Sequence, residues 1–207
     1  MPFVLLIVAY LCGSIPFGLL FGRMKGIDVR EGGSGNIGAT NVSRQLGKNM
    51  GLLTLVADAM KAVVPMVFAF RILPDRGASV DWVAFCGAAA VLGHLFPVYL
   101  GFRGGKGVAT AFGMLLYLNL SAALVLLFLF FCTVAISGYV SAGSLAAAAM
   151  MPVVWWLFGA GRDQIAVGVL LALLIWIKHR QNIVRLCKGE EKAWKRDTQA
   201  SEDTQHL

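Results

Sequence analysis

Long apolar runs recur along the chain and constrain its fold more than any other feature of the sequence. Runs of about 20 apolar residues match the hydrocarbon core of a bilayer, where a backbone must form helices to satisfy its own hydrogen bonds. A mean hydropathy of +0.74 and a charged fraction of only 14% agree with this class. The sequence therefore predicts an all-α integral membrane protein, with spans near residues 3–21, 51–70, 82–100, 108–137, 143–159 and 163–178.

The run at 108–137 is too long for a single span. Its 30 residues would form a helix of about 45 Å, whereas the hydrocarbon core is about 30 Å thick. Asn119 and Ser121 interrupt the run near its middle, which favours two short helices joined by a tight turn. The number of spans is thus six or seven, and the charges of the loops distinguish the two.

Lysine and arginine concentrate on one side of the predicted bundle. With seven spans and an external N-terminus, 14 of them lie in loops 22–50 and 101–107 and the tail from 178, against 3 on the other side. Six spans would put the tail outside, although Lys and Arg normally stay in the cytoplasm. We therefore predict a seven-transmembrane-helix bundle with its N-terminus outside and its C-terminus cytoplasmic. A five-span arrangement, in which some short helices only dip into the bilayer, preserves this orientation.

We predict one membrane domain over residues 1–191, followed by a polar tail, 192–207, that is expected to be disordered. The net charge of +7 is ascribed to topology rather than to nucleic-acid binding. The cysteines show no C-x-x-C spacing, and three of the four lie in apolar runs, which predicts reduced core residues. No Asp and Glu constellation suits a metal, so no metal or cofactor is predicted.

Three polar clusters share the predicted cytoplasmic face, and their convergence there predicts a site. The first cluster, residues 32–44, begins "GGSGNIGATN". The second cluster, residues 93–110, reads "GHLFPVYLGFRGGKGVAT", and the third, residues 179–191, reads "HRQNIVRLCKGEE". The outward segment 71–81 has the composition of an ordinary connector.

The first cluster is rich in donors to an anion. Glycines leave backbone amides uncovered, successive amides form concavities for anions, and an arginine grips phosphate with two parallel hydrogen bonds. A flexible loop joining two helices is the plainer interpretation, because glycine is common in loops. The candidate donors are Gly32, Gly33, Ser34, Gly35, Asn36, Gly38, Thr40, Asn41 and Arg44.

The second cluster favours anion binding over a plain loop. Its glycine turn, Gly104-Gly105-Lys106-Gly107, precedes a long apolar helix. A helix N-terminus presents free amides and the positive end of its dipole, to which a lysine adds a point charge. The spacing is not that of a P-loop, so ATP is not predicted. Two cationic glycine loops on one face predict two phosphate-sized anions.

Histidines and an intramembrane charge pair complete the candidates. His94 lies at the cytoplasmic end of the third span, and His179 opens the third cluster with Asn182 one helical turn on. Asp58 and Lys61, at i and i+3 in the second span, predict a structural ion pair. The sequence has no H-x-x-x-x-D dyad and no G-x-S-x-G motif. Any reaction therefore requires a substrate that already carries a good leaving group.

The clusters resemble those of the bacterial acyl-phosphate:glycerol-3-phosphate acyltransferases, the PlsY family. The matching stretches are "GSGNIGATNVSRQLG", "GHLFPVYLGFRGGKGVAT" and "HRQNIVRLCKGEE", with "DVR" ahead of the first and Asp58 and Lys61 in the second span. The likeness runs in order over nearly all of residues 1–191. Ala62 is a small departure, since the family often has glycine there.

The resemblance implies a seven-helix enzyme of the bacterial inner membrane with its active site at the cytoplasmic face. It would transfer a fatty acyl group from acyl phosphate to the first hydroxyl of glycerol 3-phosphate, giving lysophosphatidic acid and phosphate. This is the first acylation of phospholipid biosynthesis, and it would run without metal or cofactor by substrate assistance. The competing hypothesis is a permease or binding protein for a small phosphorylated solute.

Residue roles follow from the resemblance together with the chemistry above. We expect Lys106 to be catalytic between both anions and His94 to lie near the reacting hydroxyl. Glycerol 3-phosphate is expected to contact Ser34, Arg44, Lys106, His179 and Asn182. Acyl phosphate is expected to contact Asn36, Gly38, Thr40, Asn41, Gly104, Gly105 and Gly107.

Overall fold

A computed structural model of the chain describes residues 2–73 and 76–194, and all of its regular structure there is helical. The predicted tail beyond position 194, and positions 74 and 75 of the outward connector, lie outside the described residues. The helices are α1 Pro2–Gly13, α2 Phe17–Met24, α3 Ala39–Leu46, α4 Lys48–Ile72, α5 Arg76–Leu95, a short 3-10 helix Val98–Leu100, α6 Val108–Leu118, α7 Leu120–Ser137, α8 Val140–Leu157, α9 Arg162–Lys178 and α10 Arg180–Lys188.

Within residues 2–73 and 76–194, five helical segments are long and apolar enough to cross a membrane. A sixth candidate is the bent pair α9–α10, whose axes differ by 57°. Helix α6 is apolar but has only 11 residues, or about 16 Å of helix, which is shorter than the hydrocarbon core of about 30 Å. The five segments are Pro2–Met24, Lys48–Ile72, Val80–Leu100, Leu120–Ser137 and Val140–Leu157.

The long apolar run at 108–137 is two helices, as predicted, and Asn119 separates them. The Asn119 side chain accepts a hydrogen bond from the Ala122 amide at 2.9 Å and thereby caps α7. Its amide group donates to the Phe158 carbonyl at 3.1 Å, just after α8 ends. The α6–α7 turn is therefore held at the same end of the bundle as the end of α8.

Small residues bring α1 and α5 close together. A Cβ at Gly13 would overlap the Ala90 backbone, and one at Gly93 would overlap the Tyr10 carbonyl. Contacts of this kind let membrane helices pack backbone to backbone, because lipid gives little hydrophobic drive for association. The predicted ion pair is also confirmed, with Lys61 Nζ 3.0 Å from Asp58 Oδ1 in the buried centre of the bundle.

The polar clusters lie at the end of the bundle opposite to the α6–α7 turn. The Trp194 amide donates to Gly138 O at 2.8 Å, so the segment after α10 contacts the turn between α7 and α8. The Ser141 hydroxyl, in the first turn of α8, donates to Glu191 at 2.8 Å. All four cysteines are free, and Cys187 is the exposed one.

Candidate active site

Residues from all three clusters line one groove of about 960 Å³ at this end of the bundle. The first cluster contributes Gly35 and Ile37, and the third contributes Arg180 and Gln181. The second cluster contributes a continuous stretch from Leu100 to Gly104. The three clusters therefore meet in the fold, but of the residues predicted to contact a substrate only Gly104 lines this groove.

Two carboxamide side chains of α3 hold the loop of the first cluster. Asn41 Nδ2 donates to Val29 O and Asn36 O, both at 2.8 Å, and Asn41 Oδ1 accepts from the Ser34 amide at 2.8 Å. Gln45, one helical turn further along α3, donates to Val29 O at 2.9 Å. Asn41 is buried with every polar atom engaged. Asn41 therefore shapes the loop, and its contact with acyl phosphate stays a prediction.

The remaining donors of the first cluster lie nearer the surface. Ser34 is exposed at the loop tip, and Thr40 is half-buried in the first turn of α3. Asn36 Oδ1 accepts a long hydrogen bond of 3.3 Å from the Gly38 amide, which precedes α3. Arg44 donates weakly to Lys192 O at 3.5 Å, which brings α3 next to the chain that follows α10.

The glycine turn of the second cluster is packed against the end of α5. The Gly105 amide donates to His94 O at 3.0 Å, and the contact of Gly105 with acyl phosphate stays a prediction. Gly107 has φ +83 and precedes α6, a conformation that favours glycine. The amides of Gly104 and Gly107 have no backbone acceptor within residues 2–73 and 76–194, which keeps both available to an anion.

Lys106 projects from this turn without an ion-pair or hydrogen-bond partner among the described residues. Lys106 is partly buried, and burial is the main reason that its pKa falls to about 8. The negative charge of Glu191 raises this pKa, whereas the positive charges of Arg185 and Arg44 lower it further. These three residues come from the first and third clusters. Lys106 is therefore a poorly solvated cation at the meeting point of all three clusters.

His94 does not face the groove. Its side chain is only 4% exposed, with Nδ1 3.6 Å from Asp58 Oδ1, and a Cβ on Gly105 would overlap its Nε2. No space for a substrate hydroxyl separates the ring from the backbone of the turn. The ring is packed beneath the turn that carries Lys106, and the place of His94 near the reacting hydroxyl stays a prediction.

Glu191 organises the third cluster, a role that sequence reasoning missed. It accepts hydrogen bonds from Asn182 and Arg185, both at 2.6 Å, and from Ser141 at 2.8 Å. Burial opposes its charge, but these three donors outweigh burial and hold its pKa below its usual value. The "GEE" that closes the cluster was the only signal, and nothing in the sequence linked it to Ser141.

His179 and Asn182 each keep one acceptor atom unused. The His179 ring Nδ1 is 2.8 Å from Ile175 O, and because a carbonyl only accepts, Nδ1 carries the proton and Nε2 keeps a lone pair. Asn182 Oδ1 is buried and has no donor among the described residues. Both residues are nearly fully buried. Two such acceptors suit a ligand with hydroxyl groups.

The chain matches one protein family over most of its length. The profile of the family described as glycerol-3-phosphate acyltransferase matches residues 3–189. A curated relative of that name from Desulfotalea psychrophila is 50% identical over 196 residues, covering 95% of this chain and 100% of the relative. Another, from Geobacter sulfurreducens, is 46% identical over 194 residues, covering 93% of this chain and 97% of the relative.

Solved structures share the fold. Crystal structures of PlsY, an integral membrane glycerol 3-phosphate acyltransferase, match with TM-scores of 0.87 for its glycerol 3-phosphate form and 0.84 for its lysophosphatidic acid form. Both are 37% identical to this chain and cover 93% of it, and the matches span 95% and 94% of the PlsY chains. With the family profile, the relatives and the fold in agreement, this chain belongs to the glycerol-3-phosphate acyltransferase family.

Proposed function

We propose that this acyltransferase moves a fatty acyl group from acyl phosphate to the first hydroxyl of glycerol 3-phosphate. The observation that carries the proposal is that Lys106 is partly buried without an ion-pair or hydrogen-bond partner among the described residues, in a turn where the Gly104 and Gly107 amides have no backbone acceptor among those residues. Both substrates bring a phosphate, and a desolvated cation interacts more strongly with anions than one in water does.

The two phosphates occupy different parts of the site. Acyl phosphate takes the amides of Gly104 and Gly107 at the start of α6 and the Asn36, Gly38 and Thr40 donors of the first cluster. Arg44 and Ser34 hold the phosphate of glycerol 3-phosphate, with Lys106 between the two anions. His179 Nε2 and Asn182 Oδ1 accept hydrogen bonds from its glycerol hydroxyls, which gives a donor to the buried Asn182 Oδ1, an atom without one among the described residues.

The reaction needs no base supplied by the protein. The hydroxyl oxygen attacks the acyl carbon, the bond from that carbon to the phosphate oxygen breaks, and the departing phosphate takes the hydroxyl proton. Lys106 and the glycine amides stabilise the negative charge that develops on the acyl and phosphate oxygens. The products are lysophosphatidic acid and inorganic phosphate, and no metal or cofactor enters the balance.

The donor comparison tests this proposal. Purified enzyme in detergent is assayed with acyl phosphate and with acyl-CoA, in the presence of a chelator, and lysophosphatidic acid is quantified. Efficient turnover only with acyl phosphate is expected, because a thiolate is a poorer leaving group than phosphate. Equal turnover with acyl-CoA would refute the donor assignment. Phosphate transport into liposomes without lysophosphatidic acid formation would support a permease instead.

We propose that the chain crosses the bacterial inner membrane seven times and that its site lies at the cytoplasmic face. Residues 1–191 form one domain. In this topology α6 and α7 are two separate passages that cross the membrane in opposite directions. Helix α6 is the short passage, and α9 is the last passage. The excess of Lys and Arg on the face of the site supports this orientation. A reporter fused after residue 190 should be cytoplasmic and one inserted near residue 74 external. An external C-terminus would contradict the orientation.

A further inference from the structure

A buried polar group beneath the second cluster has no part in the mechanism above. We propose that Asp58, Lys61 and His94 form a positioning unit that fixes the glycine turn and so sets the location of Lys106. The proposal rests on the catalytic role assigned to Lys106. The contacts of the positioning unit run from the break between α1 and α2, through α4, to the end of α5.

The contacts form one continuous chain. Lys61 Nζ donates to Ile15 O at 3.1 Å and pairs with Asp58 Oδ1 at 3.0 Å. The same carboxylate oxygen lies 3.6 Å from His94 Nδ1. The three side chains are between 2% and 4% exposed. The carboxylate thus pairs with Lys61, whereas its separation from His94 Nδ1 is longer than a hydrogen bond, and that nitrogen has no hydrogen-bond partner among the described residues. The His94 ring nevertheless lies with Nδ1 toward Asp58 and Nε2 toward Gly105.

His94 then holds Gly105 in two ways. Its carbonyl accepts from the Gly105 amide at 3.0 Å, and its ring occupies the volume that a Gly105 Cβ would need. The residue next to Gly105 is Lys106. A change in the tilt of the imidazole therefore moves the backbone from which the lysine projects.

Stability alone does not account for charges at this place. A buried ion pair is costly to desolvate, and well-packed apolar residues of similar volume stabilise a fold as well or better. A buried ion pair does require a fixed relative orientation of its two side chains, because each charge must face the other. We therefore explain the buried charges below the turn that carries Lys106 by the positioning of that turn.

A double-mutant cycle between His94 and Gly105 tests the contact. Gly105→Ala should lower kcat by about 100-fold, because its Cβ displaces the turn, and displacements of about 1 Å have effects of that size. His94→Ala should lower kcat by about tenfold and leave the KM for glycerol 3-phosphate within about twofold. The double variant should recover about tenfold in kcat over Gly105→Ala, because the ring that the Cβ would strike is gone.

Gly104→Ala is the matched control in the same turn. A Cβ there would overlap the His94 carbonyl and Pro97, which remain in a His94→Ala background. Removal of the ring should therefore not rescue Gly104→Ala. Additive effects of the Gly105 and His94 substitutions, or equal rescue at Gly104, would overturn the proposal.

Conservative variants separate positioning from general packing. His94→Asn keeps a polar atom toward Asp58, and His94→Gln keeps one toward Gly105, so the variant that restores kcat identifies the contact that matters. Asp58→Asn should lower kcat with KM nearly unchanged in protein whose melting temperature in detergent stays close to the parent. A fall in melting temperature with normal kcat in the folded fraction would show a purely structural unit.

Failure of this inference is distinguishable from failure of the proposed function. Near-normal kcat in Lys106→Ala would remove the catalytic role of the lysine. Absence of coupling between His94 and Gly105 would remove the positioning unit, whatever Lys106→Ala shows.

Discussion

The two glycine-rich segments have similar composition but are held in different ways. In the first cluster, carboxamides from α3 reach under the loop and pair with its backbone, and Gly33 and Gly35 have φ of +64 and +68. In the second cluster, Gly104 is glycine because its neighbours leave no space for a Cβ. At Gly35 glycine is needed for backbone conformation, whereas at Gly104 it is needed for close packing.

This difference separates two tasks that composition does not distinguish. A loop held by hydrogen bonds at its base keeps an exposed tip, which suits capture of a soluble substrate. A turn pressed against a buried helix end presents a single lysine at a fixed point, which suits stabilisation of a transition state. We expect substitutions in the first cluster to act mainly on binding and stability, and those in the second cluster on turnover.

The largest expected effect is on the second cluster. Lys106→Ala should lower kcat by about 10²–10³-fold with both substrates saturating, because it removes the charge that stabilises the developing oxyanion. Initial rates of lysophosphatidic acid formation measure this. Lys25→Ala, an exposed cation at the end of α2, is the control and should keep normal kcat. Recovery of kcat by Lys106→Ala at high substrate would reduce the lysine to a binding charge.

Arg44, at the end of the first cluster, should affect binding instead. Arg44→Ala is expected to raise the KM for glycerol 3-phosphate and to change kcat little. The rise should correspond to a loss of about 1.5–3 kcal/mol of binding free energy, which is typical of a charge-assisted hydrogen bond. Arg44→Lys should give an intermediate KM, since it retains the charge but loses the planar fork. A drop in kcat without a rise in KM would contradict the division of tasks.

Asn41 tests how the first loop is held. Asn41→Ala should destabilise the protein by about 1–3 kcal/mol, because it leaves the Asn36 carbonyl without its donor and the Ser34 amide without its acceptor. Gln45→Ala should have a smaller effect, since Asn41 still donates to Val29 O. Thermal melting in detergent and hydrogen exchange over residues 32–41 measure both. Equal effects of the two variants would show that the base of the loop is not organised around Asn41.

The pH dependence of the second cluster follows from the charge state of Lys106. Its pKa of about 8 means that kcat/KM should fall as pH rises through about 8, because the free enzyme then loses the cation. Glu191→Gln removes the neighbour that raises this pKa, so the alkaline limb should move to lower pH. Glu190→Gln, at the adjacent exposed position, is the control. An unmoved limb in Glu191→Gln would show that another group titrates.

The smallest expected effect distinguishes the two reasons for glycine. Gly35→Ala should cost about 1–2 kcal/mol of stability for a left-handed backbone, and Gly35→Asn less, because asparagine tolerates this conformation. At Gly104 the order should reverse, with Asn worse than Ala, since volume is the constraint there. Melting temperatures of the four variants measure this. The same order at both positions would contradict the comparison.

Features that depend on nearby residues were predictable from the sequence. Hydropathy along each run identified the membrane helices, and the break at Asn119 followed from length and polarity. The spacing of Asp58 and Lys61 predicted their ion pair. The polar clusters carried a long motif match, which is why the enzyme family could be inferred before any geometry was known.

Only the tertiary structure decided which polar atoms remain for a ligand. Asn41, Gly105 and His94 have the right chemistry to bind an anion, but the fold uses them internally. Glu191 gained its role from Ser141, 50 positions earlier in the chain. Composition lists the donors and acceptors of a segment, but their partners come from helices that are distant in sequence. For that reason the sequence predicted which clusters meet, whereas the hydrogen-bond partners within them came only from the fold.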